Sequence, residues 1–273
     1  MTASGEIRPP AVGGLFYPGS APALAAEVRS LLAAVPARAA APGLLKALIV
    51  PHAGYRYSGP VAASAYALLR RRRDTIRRVV LLGPVHRVPV RGLALPAAQA
   101  FATPLGTLSV DREAVSQLLE LRQVCVSRAA HAEEHSLEVQ LPFLQEVLGA
   151  FSLVPLAVGD ASPEEVAEVI EVVWGGPETL IVVSSDLSHF LPYERARRID
   201  ADTCATIASL AHSVSHEEAC GGTPINGLML AARRHHLAPT LLDLRSSGDT
   251  AGDRGRVVGY AAFAFREEAQ HVR

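Results

Sequence analysis

Three histidines follow closely after apolar segments that predict buried strands. They are His52, His86 and His189, and the segments are 44–50, 78–82 and 179–183. In open α/β sheets, ligands bind in the crevice at the carboxyl ends of the strands, so neighbouring strands would bring these imidazole groups together. Converging imidazole groups are typical of a metal site. For any single histidine, the alternative is a turn residue whose ring is hydrogen bonded to the backbone.

Cys220 lies just before a segment, 224–234, that predicts a helix. The macrodipole and the free amides at a helix N-terminus lower the pKa of a thiol, so we expect a thiolate that can act as nucleophile or metal ligand. The two glycines that follow suggest that the backbone approaches another group closely here. The alternative for Cys220 is a small buried residue, which is the interpretation that we give to Cys125 and Cys204.

Residues 131–138 combine two histidines with three acidic residues. This segment can reach the same crevice, and we predict that His135 and Glu138 contact the substrate, with Tyr55 at the mouth of the pocket. The spacing of the acidic residues does not match the HExxH zinc motif. For the two glutamates that precede His135, the alternative is an acidic, solvated helix start.

Asp186 stands three residues before His189. Its carboxylate could orient the His189 ring, bind a metal or cap the next helix. We predict that His189 acts as an acid–base group and that Asp186 orients it. The serines next to Asp186 raise the alternative of a serine nucleophile, but they lack the GxSxG motif of a nucleophile elbow.

The elements that must position these residues alternate between strand and helix patterns, which predicts helices packed around a largely parallel or mixed sheet. We therefore expect an α/β protein with a three-layer α/β/α architecture. The chain has no internal repeat or composition break, so residues 1–273 are predicted to form a single domain. Helices are predicted at 21–34, 59–71, 111–121, 138–148, 162–173, 194–210 and 224–234, and a last strand at 257–265.

The composition argues against several classes of protein. Of the 273 residues, 49% are hydrophobic and 19% are charged, so the chain can form a packed core. The net charge of −1 argues against binding to nucleic acid or to an anionic membrane. The three cysteines have no CxxC spacing, and neither a secretory signal nor a long apolar run is found. We expect a cytoplasmic protein.

Several motifs occur together in this chain, and through them the sequence resembles the Memo family. In prokaryotes this family is called AmmeMemoRadiSam system protein B, and it is similar in fold to the class III extradiol ring-cleaving dioxygenases. The resemblance covers residues 8–265. Its motifs are PHAGY at 51–55, YSG at 57–59, GPVH at 83–86, EHSLEVQLPF at 134–143, SSDLSH at 184–189, CGGTPI at 220–225 and SGD at 247–249.

By this resemblance the metal ligands are identified as His52, His86 and Cys220. Asp186 and His189 are implied as polar neighbours, and the motif that contains His135 also borders the site. In the related dioxygenases, two histidines and a glutamate hold ferrous iron, and a further histidine acts as the acid–base group. Here a cysteine stands in the place of that glutamate. Because a thiolate is softer than a carboxylate and is itself attacked by oxidants, this difference argues against ring cleavage.

We therefore predict a mononuclear metal pocket with two histidines and one cysteine, in a metal-dependent redox protein or dioxygenase-like oxidoreductase. The expected metal is iron(II) or copper, and zinc is a third candidate. Cys220 is then a catalytic residue as well as a ligand. One alternative is a binding module that receives a peptide or a small anion without turnover. A second alternative is a metal-dependent or cysteine-dependent hydrolase.

The resemblance also implies partners. Members of the family in animals are described as binding phosphotyrosine peptides and as metal-dependent redox proteins. Prokaryotic members are encoded beside a radical-SAM protein and an AMMECR-type protein. We accordingly expect a small molecule or a peptide as substrate, and proteins of these two types as partners.

Overall fold

The computed structural model describes residues 6–37 and 41–267. Its strands in these ranges are β1 (Ile7–Arg8), β2 (Leu45–Val50), β3 (Arg78–Pro84), β4 (Leu93–Leu95), β5 (Ala100–Thr103), β6 (Gly106–Ser109), β7 (Val124–Val126), β8 (Ser152–Val158), β9 (Thr179–Ser184), β10 (His189–Leu191), β11 (Leu237–Ser246) and β12 (Val257–Glu267). Its helices in the same ranges are α1 (Ala21–Ala33), α2 (Tyr55–Tyr66), α3 (Arg112–Leu118), α4 (Arg128–Ala132), α5 (His135–Glu138), α6 (Leu141–Val147), α7 (Pro163–Val172), α8 (Tyr193–Ser209), α9 (Gly222–Arg234) and α10 (Ser247–Thr250). A 3₁₀ helix at Ala67–Arg72 follows α2.

The larger of the two sheets carries the candidate site at one edge. Within the described ranges, eight of its nine strands follow the order β10-β12-β2-β9-β3-β8-β4-β7, and β11 also pairs with β12. The strands β2, β9, β3 and β8 run parallel to one another, so all four end at the same edge. The flanking strands β12 and β4 are antiparallel to this core. A separate three-stranded sheet contains β1, β5 and β6.

The parallel core forms because its strands are almost continuous runs of Val, Ile and Leu, which suit a strand that is covered on both faces. Alternate side chains of each strand point to opposite faces of the sheet. Leu48 and Val50 of β2 pack in the apolar cluster that includes α1, α2 and α6. Ala47 and Ile49 pack in the other cluster, with α7, α8 and α9. The expected three-layer α/β/α architecture is thereby confirmed.

The structure corrects the predicted elements in several places. The central strand β8 lies in a segment for which the pattern predicts no strand, and the same is true of β11 and the short flanking strands. The helix expected at 138–148 is two helices, α5 and α6, because Pro142 has no N–H with which to continue the first. The helix expected at 59–71 begins earlier, at Tyr55, and ends in the 3₁₀ helix.

None of the helices within residues 6–37 and 41–267 is long and apolar enough to cross a lipid bilayer.

Candidate metal centre

The topology brings the three predicted ligands close together at the edge where the parallel strands end. Strand β9 lies between β2 and β3, and His52 and His86 follow the ends of β2 and β3. Their ring centroids are 5.2 Å apart. Cys220 lies two residues before α9, and its Sγ atom is 3.3 Å from Nε2 of His52. One potential ligand atom from each of these three residues lies within 4.8 Å of the others.

A network of buried hydrogen bonds orients the His52 ring. Nδ1 of His52 is 2.8 Å from the hydroxyl oxygen of Ser184. That hydroxyl donates its only hydrogen to the carbonyl oxygen of Ser136 at 2.6 Å, and it accepts a hydrogen bond from the Gln140 amide at 2.8 Å. Ser184 must therefore accept from His52, so Nδ1 carries the hydrogen. The lone pair is on Nε2, which faces Cys220.

The His52 ring is neutral in this environment. Burial lowers its pKa well below the ordinary value, and charge on the neighbouring histidines at 86, 135 and 189 lowers it further. A neutral imidazole with a free Nε2 lone pair is the form that binds a metal ion. His52 is therefore in the protonation state that can bind a metal ion.

The second histidine, His86, is held by the carboxylate of Glu134. Nδ1 of His86 is 2.9 Å from one carboxylate oxygen, and the backbone N–H of His86 donates to the other at 2.6 Å. The same carboxylate accepts the backbone N–H of Ser136 at 2.8 Å. Burial alone would raise the pKa of Glu134, but the His86 side chain and the two N–H groups lower it to about 2. Glu134 is therefore ionised at neutral pH.

The Cys220 thiol differs in acidity from the expectation. Burial, followed by the nearby charge of Asp186, raises its pKa to about 12. A hydrogen bond from the backbone of Gly221 lowers the pKa, as the argument from the helix start requires, but burial outweighs it. The expected lowering of the pKa is thus wrong for the protein alone. A bound metal cation would hold this residue as a thiolate, because coordination deprotonates a thiol.

Asp186 and His189 follow β9, the strand that lies between the strands preceding His52 and His86. One carboxylate oxygen of Asp186 accepts the backbone N–H of His52 at 2.7 Å, so Asp186 holds the turn that follows β2 and not the His189 ring that we expected it to orient. Burial raises the pKa of Asp186 to about 7, although hydrogen bonds from backbone amides oppose this shift. Burial lowers the pKa of His189, and charge on His86 acts in the same direction. His189 is therefore close enough to the ligands to interact with them electrostatically.

His135 is a third imidazole beside the two histidines that are predicted to be ligands. Its ring centroid is 4.6 Å from that of His86 and 5.4 Å from that of His52. Phe16 packs against it at 4.8 Å. Burial, and then charge on His86, lowers the pKa of His135 to about 4. The side chain is 19% exposed, so part of this ring is open to solvent beside the two predicted ligands.

Tyr55 and Glu138 lie in the protein interior. The Tyr55 hydroxyl donates to the carbonyl oxygen of Val139 at 2.8 Å, and the residue is 2% exposed. The Glu138 carboxylate is fully buried, forms an ion pair with Arg8 and accepts the Tyr17 hydroxyl at 2.5 Å. Because their polar atoms are engaged inside the protein, the structure gives both residues a role in the scaffold in place of the expected contact with substrate.

Sequence analysis misses three residues of the site, namely Ser184, Gln140 and Glu134. Each holds its partner from a distant part of the chain: Ser184 is 132 positions from His52, and Glu134 is 48 positions from His86. In the sequence, only the positions of these residues indicate that they belong to the site. Ser184 ends a predicted strand, and the other two lie in the 134–143 motif.

Comparison with known proteins agrees with the resemblance found in the sequence. A family model described as Memo-like protein matches residues 8–264. A MEMO1 family protein of Methanopyrus kandleri is 34% identical over 95% of this chain and 99% of its own length. One of Aeropyrum pernix is 36% identical over 94% and 99%. A solved structure of an uncharacterized protein from Escherichia coli K12 is similar in fold, with a TM-score of 0.54, 14% identity, and coverage of 81% of this chain and 99% of that one.

Proposed function

Because this chain belongs to the Memo family, we propose that it is a metal-dependent redox protein in which His52, His86 and Cys220 hold one iron(II) or copper ion. The observation that carries the proposal is the 3.3 Å distance between Sγ of Cys220 and Nε2 of His52, with His86 beside them. Ligand atoms that bind one ion at roughly 2.0–2.3 Å lie about 3.3–3.8 Å apart. Donor atoms that all lie within 4.8 Å of one another therefore need only small movements to share an ion.

The chemistry of the donor set supports the choice of metal. Two neutral imidazole nitrogens and one thiolate sulfur suit iron, copper and zinc, whereas Mg²⁺ and Ca²⁺ prefer oxygen ligands. When bound, iron or copper supplies one-electron chemistry that no side chain of the pocket offers. Zinc lacks this chemistry, so it would make the site structural or hydrolytic.

The surrounding side chains orient the ligands and contact the substrate. Asp186 holds the backbone of His52 through a 2.7 Å hydrogen bond. The pKa of His189 and that of His135 are both lowered by burial, so both rings are neutral near pH 7. The pKa of His135 falls to about 4, which makes its ring a weak base. We assign the acid–base role to His189 and substrate contact to His135. The substrate class is a small molecule or a peptide side chain that reaches the partly exposed His135 ring.

A cysteine-dependent hydrolase is less well supported by the same geometry. A nucleophilic cysteine needs a base that takes the proton of its thiol. His52 is close enough, but burial lowers its pKa while the pKa of Cys220 is raised to about 12. Proton transfer from sulfur to imidazole is therefore unfavourable, and the metal-dependent alternative accounts better for the contact.

The experiment is a redox cycle of the loaded protein. Metal-free protein is loaded anaerobically with iron(II) or copper(I), then oxidised with ferricyanide and reduced with dithionite while thiolate-to-metal charge-transfer absorption is followed. We expect a band that appears and disappears with each cycle in the wild type and is absent in Cys220→Ser. Cys204→Ser, which changes a buried cysteine of α8, is the matched control and should keep the band. A bound metal that never changes oxidation state would contradict the redox function.

A further inference from the structure

The structure assigns a positioning role to Glu134: its carboxylate holds the His86 ring with Nε2 free to bind the metal. This inference rests on the proposed function and deepens it, because it names the residue that selects the binding nitrogen of a ligand. The sequence alone suggests a solvated glutamate at the start of a helix. In the structure the side chain is 2% exposed and contacts His86 twice.

The hydrogen bonds around Glu134 fix its orientation. One oxygen accepts the backbone N–H of His86 at 2.6 Å. The other oxygen lies 2.9 Å from Nδ1 of His86 and accepts the backbone N–H of Ser136 at 2.8 Å. Two of these donors belong to the backbone, on both sides of the carboxylate. The carboxylate is therefore held in place independently of the His86 ring that it contacts.

The protonation of the His86 ring follows from this contact. An ionised carboxylate can only accept hydrogen bonds, so the ring nitrogen that faces it must carry a hydrogen. That nitrogen is Nδ1. The hydrogen bond at one ring nitrogen decides which nitrogen is left to bind a metal ion, so Nε2 is the metal-binding nitrogen of His86. A carboxylate in this position also raises the basicity of a histidine ligand.

The two histidine ligands differ in the partner behind them. Nδ1 of His52 donates to the neutral hydroxyl of Ser184, whereas Nδ1 of His86 donates to the charged Glu134. Hydrogen bonds to an ionised acceptor are about twice as strong as neutral ones. Glu134 should therefore contribute more to metal affinity than Ser184 does.

A second metal ion is the competing interpretation of Glu134. One ligand atom each from His86, Glu134 and His135 also lies within 4.8 Å of the others. The contacts argue against such a site, because Nδ1 of His86 and both carboxylate oxygens are already engaged with one another or with backbone N–H groups. Nδ1 of His135 also lies 3.4 Å from the carboxylate oxygen that faces His86. A second bound ion that depends on Glu134 would overturn the assignment.

The variants separate a positioning role from a structural one. In the native protein, N–H groups face both carboxylate oxygens of Glu134. Glu134→Gln keeps only one of these oxygens, so in either orientation of the amide one N–H group faces its NH₂. Glu134→Ala removes the partner of His86 altogether. Glu133→Gln removes the charge of the exposed neighbouring residue.

The first readout is the tautomer of each histidine in the metal-free protein, measured by long-range ¹H–¹⁵N correlation spectra at an alkaline pH at which free imidazole rings are neutral. In the wild type we expect Nδ1–H for both His52 and His86. Glu134→Ala should show an Nε2–H signal for His86 while His52 is unchanged, because no acceptor then faces Nδ1 of His86. The Glu133 variant should keep the wild-type pattern. An Nε2–H signal for His86 in the wild type would overturn the inference even if no variant folds.

The second readout is metal affinity, measured by competition for iron(II) with a chelator. Loss of a partner of this kind weakens metal binding about 10–100-fold in comparable sites. We expect the Kd to rise by this factor in Glu134→Gln, with one ion per chain at saturation in the wild type and in the variant. An unchanged Kd, or the loss of a second ion, would overturn the inference. If the wild type binds no metal while His86 is Nδ1–H, the proposed function fails and the assignment of the tautomer stands.

Discussion

Nε2 of His52 lies 3.3 Å from Sγ of Cys220, although the two residues are 168 positions apart in the chain. His52 follows strand β2, and Cys220 lies in the turn before α9. The central strand β9 lies between β2 and β3, so the ligand set is assembled by the order of the strands. Substitutions that disturb this assembly should therefore weaken metal binding by more than their effect on stability explains.

Ser184→Ala should deprive His52 of its acceptor at Nδ1. The Gln140 amide and the Ser136 carbonyl would also lose a partner, so we expect the free energy of unfolding to fall by about 1–3 kcal/mol. The Kd for iron(II) should rise about tenfold, because the His52 ring is no longer fixed. Urea unfolding and chelator competition measure the two effects.

The matched control for Ser184→Ala is Ser64→Ala. Ser64 is also buried, and its hydroxyl donates to Asp243 at 2.9 Å, so its removal should lower stability alone. Equal values of the Kd in the Ser184 variant and the wild type would show that the hydroxyl does not orient the ligand.

Gly221→Ala should displace Cys220. A Cβ atom at Gly221 would lie 2.6 Å from Cβ of Ser185 and 2.8 Å from the carbonyl oxygen of Ser184, so the backbone must move. Overpacking of this kind costs about 1–3 kcal/mol of stability, and we expect metal binding to weaken at least about tenfold. Gly149→Ala is the control, because the atom nearest to its Cβ would be the carbonyl oxygen of Arg73, at an ordinary distance of 3.4 Å. Metal binding at wild-type strength in Gly221→Ala would contradict the close approach.

Glu138→Gln should loosen the N-terminal segment. The Glu138 carboxylate pairs with Arg8 and accepts the backbone N–H groups of Ala11 and Val12 at 2.7 and 3.0 Å. Loss of its charge leaves the Arg8 guanidinium unpaired in the interior, which costs about 3–5 kcal/mol. Hydrogen exchange at Ala11 and Val12 should become faster, and the exposed Glu133→Gln should leave it unchanged. Unchanged exchange in Glu138→Gln would refute the anchoring role.

His131 should make the protein less stable in acid. Burial lowers its pKa to about 4, whereas the unfolded chain has the ordinary value of about 6.5. Between these two pH values the unfolded state binds a proton that the folded state does not, so stability falls as the pH decreases from 6.5 to 4. The loss from this group is at most about 3 kcal/mol.

His131→Gln tests this pH dependence by urea unfolding at pH 7 and pH 4.5. Nε2 of His131 donates to the carbonyl oxygen of Ala94 at 2.8 Å, and glutamine keeps a donor for that bond. The variant should therefore lose less stability than the wild type between the two pH values. The same loss in both proteins would assign the acid sensitivity to other groups.

The location of the site could be predicted because of where His52 and His86 stand. Each follows an apolar run that becomes a buried parallel strand, and the carboxyl ends of parallel strands meet at one edge. The pKa of Cys220 could not be predicted in the same way. The effect of a helix start on the pKa comes from neighbouring residues, so it can be predicted from the sequence. Burial has the larger effect on the pKa of Cys220, and it depends on how distant segments pack.

The central strand β8 shows a second limit of prediction from sequence. Pro155 interrupts its apolar run, and proline is rare in a central strand. In the structure, the carbonyl oxygen of Leu153 accepts the backbone N–H of Asp111 at 2.8 Å on the edge away from β3, and Ala157 pairs with β4 on that edge. Pro155 lies midway between Leu153 and Ala157 and has the same orientation as both. Its missing N–H therefore faces a gap between partners and removes no hydrogen bond from the sheet.

The most direct test of the central claim is the metal content of protein purified without oxygen and without chelator, measured by mass spectrometry. We predict about one iron or copper ion per wild-type chain, a fall to about a tenth of that content or less in Cys220→Ser, and wild-type content in Cys204→Ser. Equal content in the wild type and Cys220→Ser would contradict a metal site built from His52, His86 and Cys220. So would a metal-free wild type that takes up neither iron(II), copper nor zinc on titration, and that result would favour a binding module without a metal.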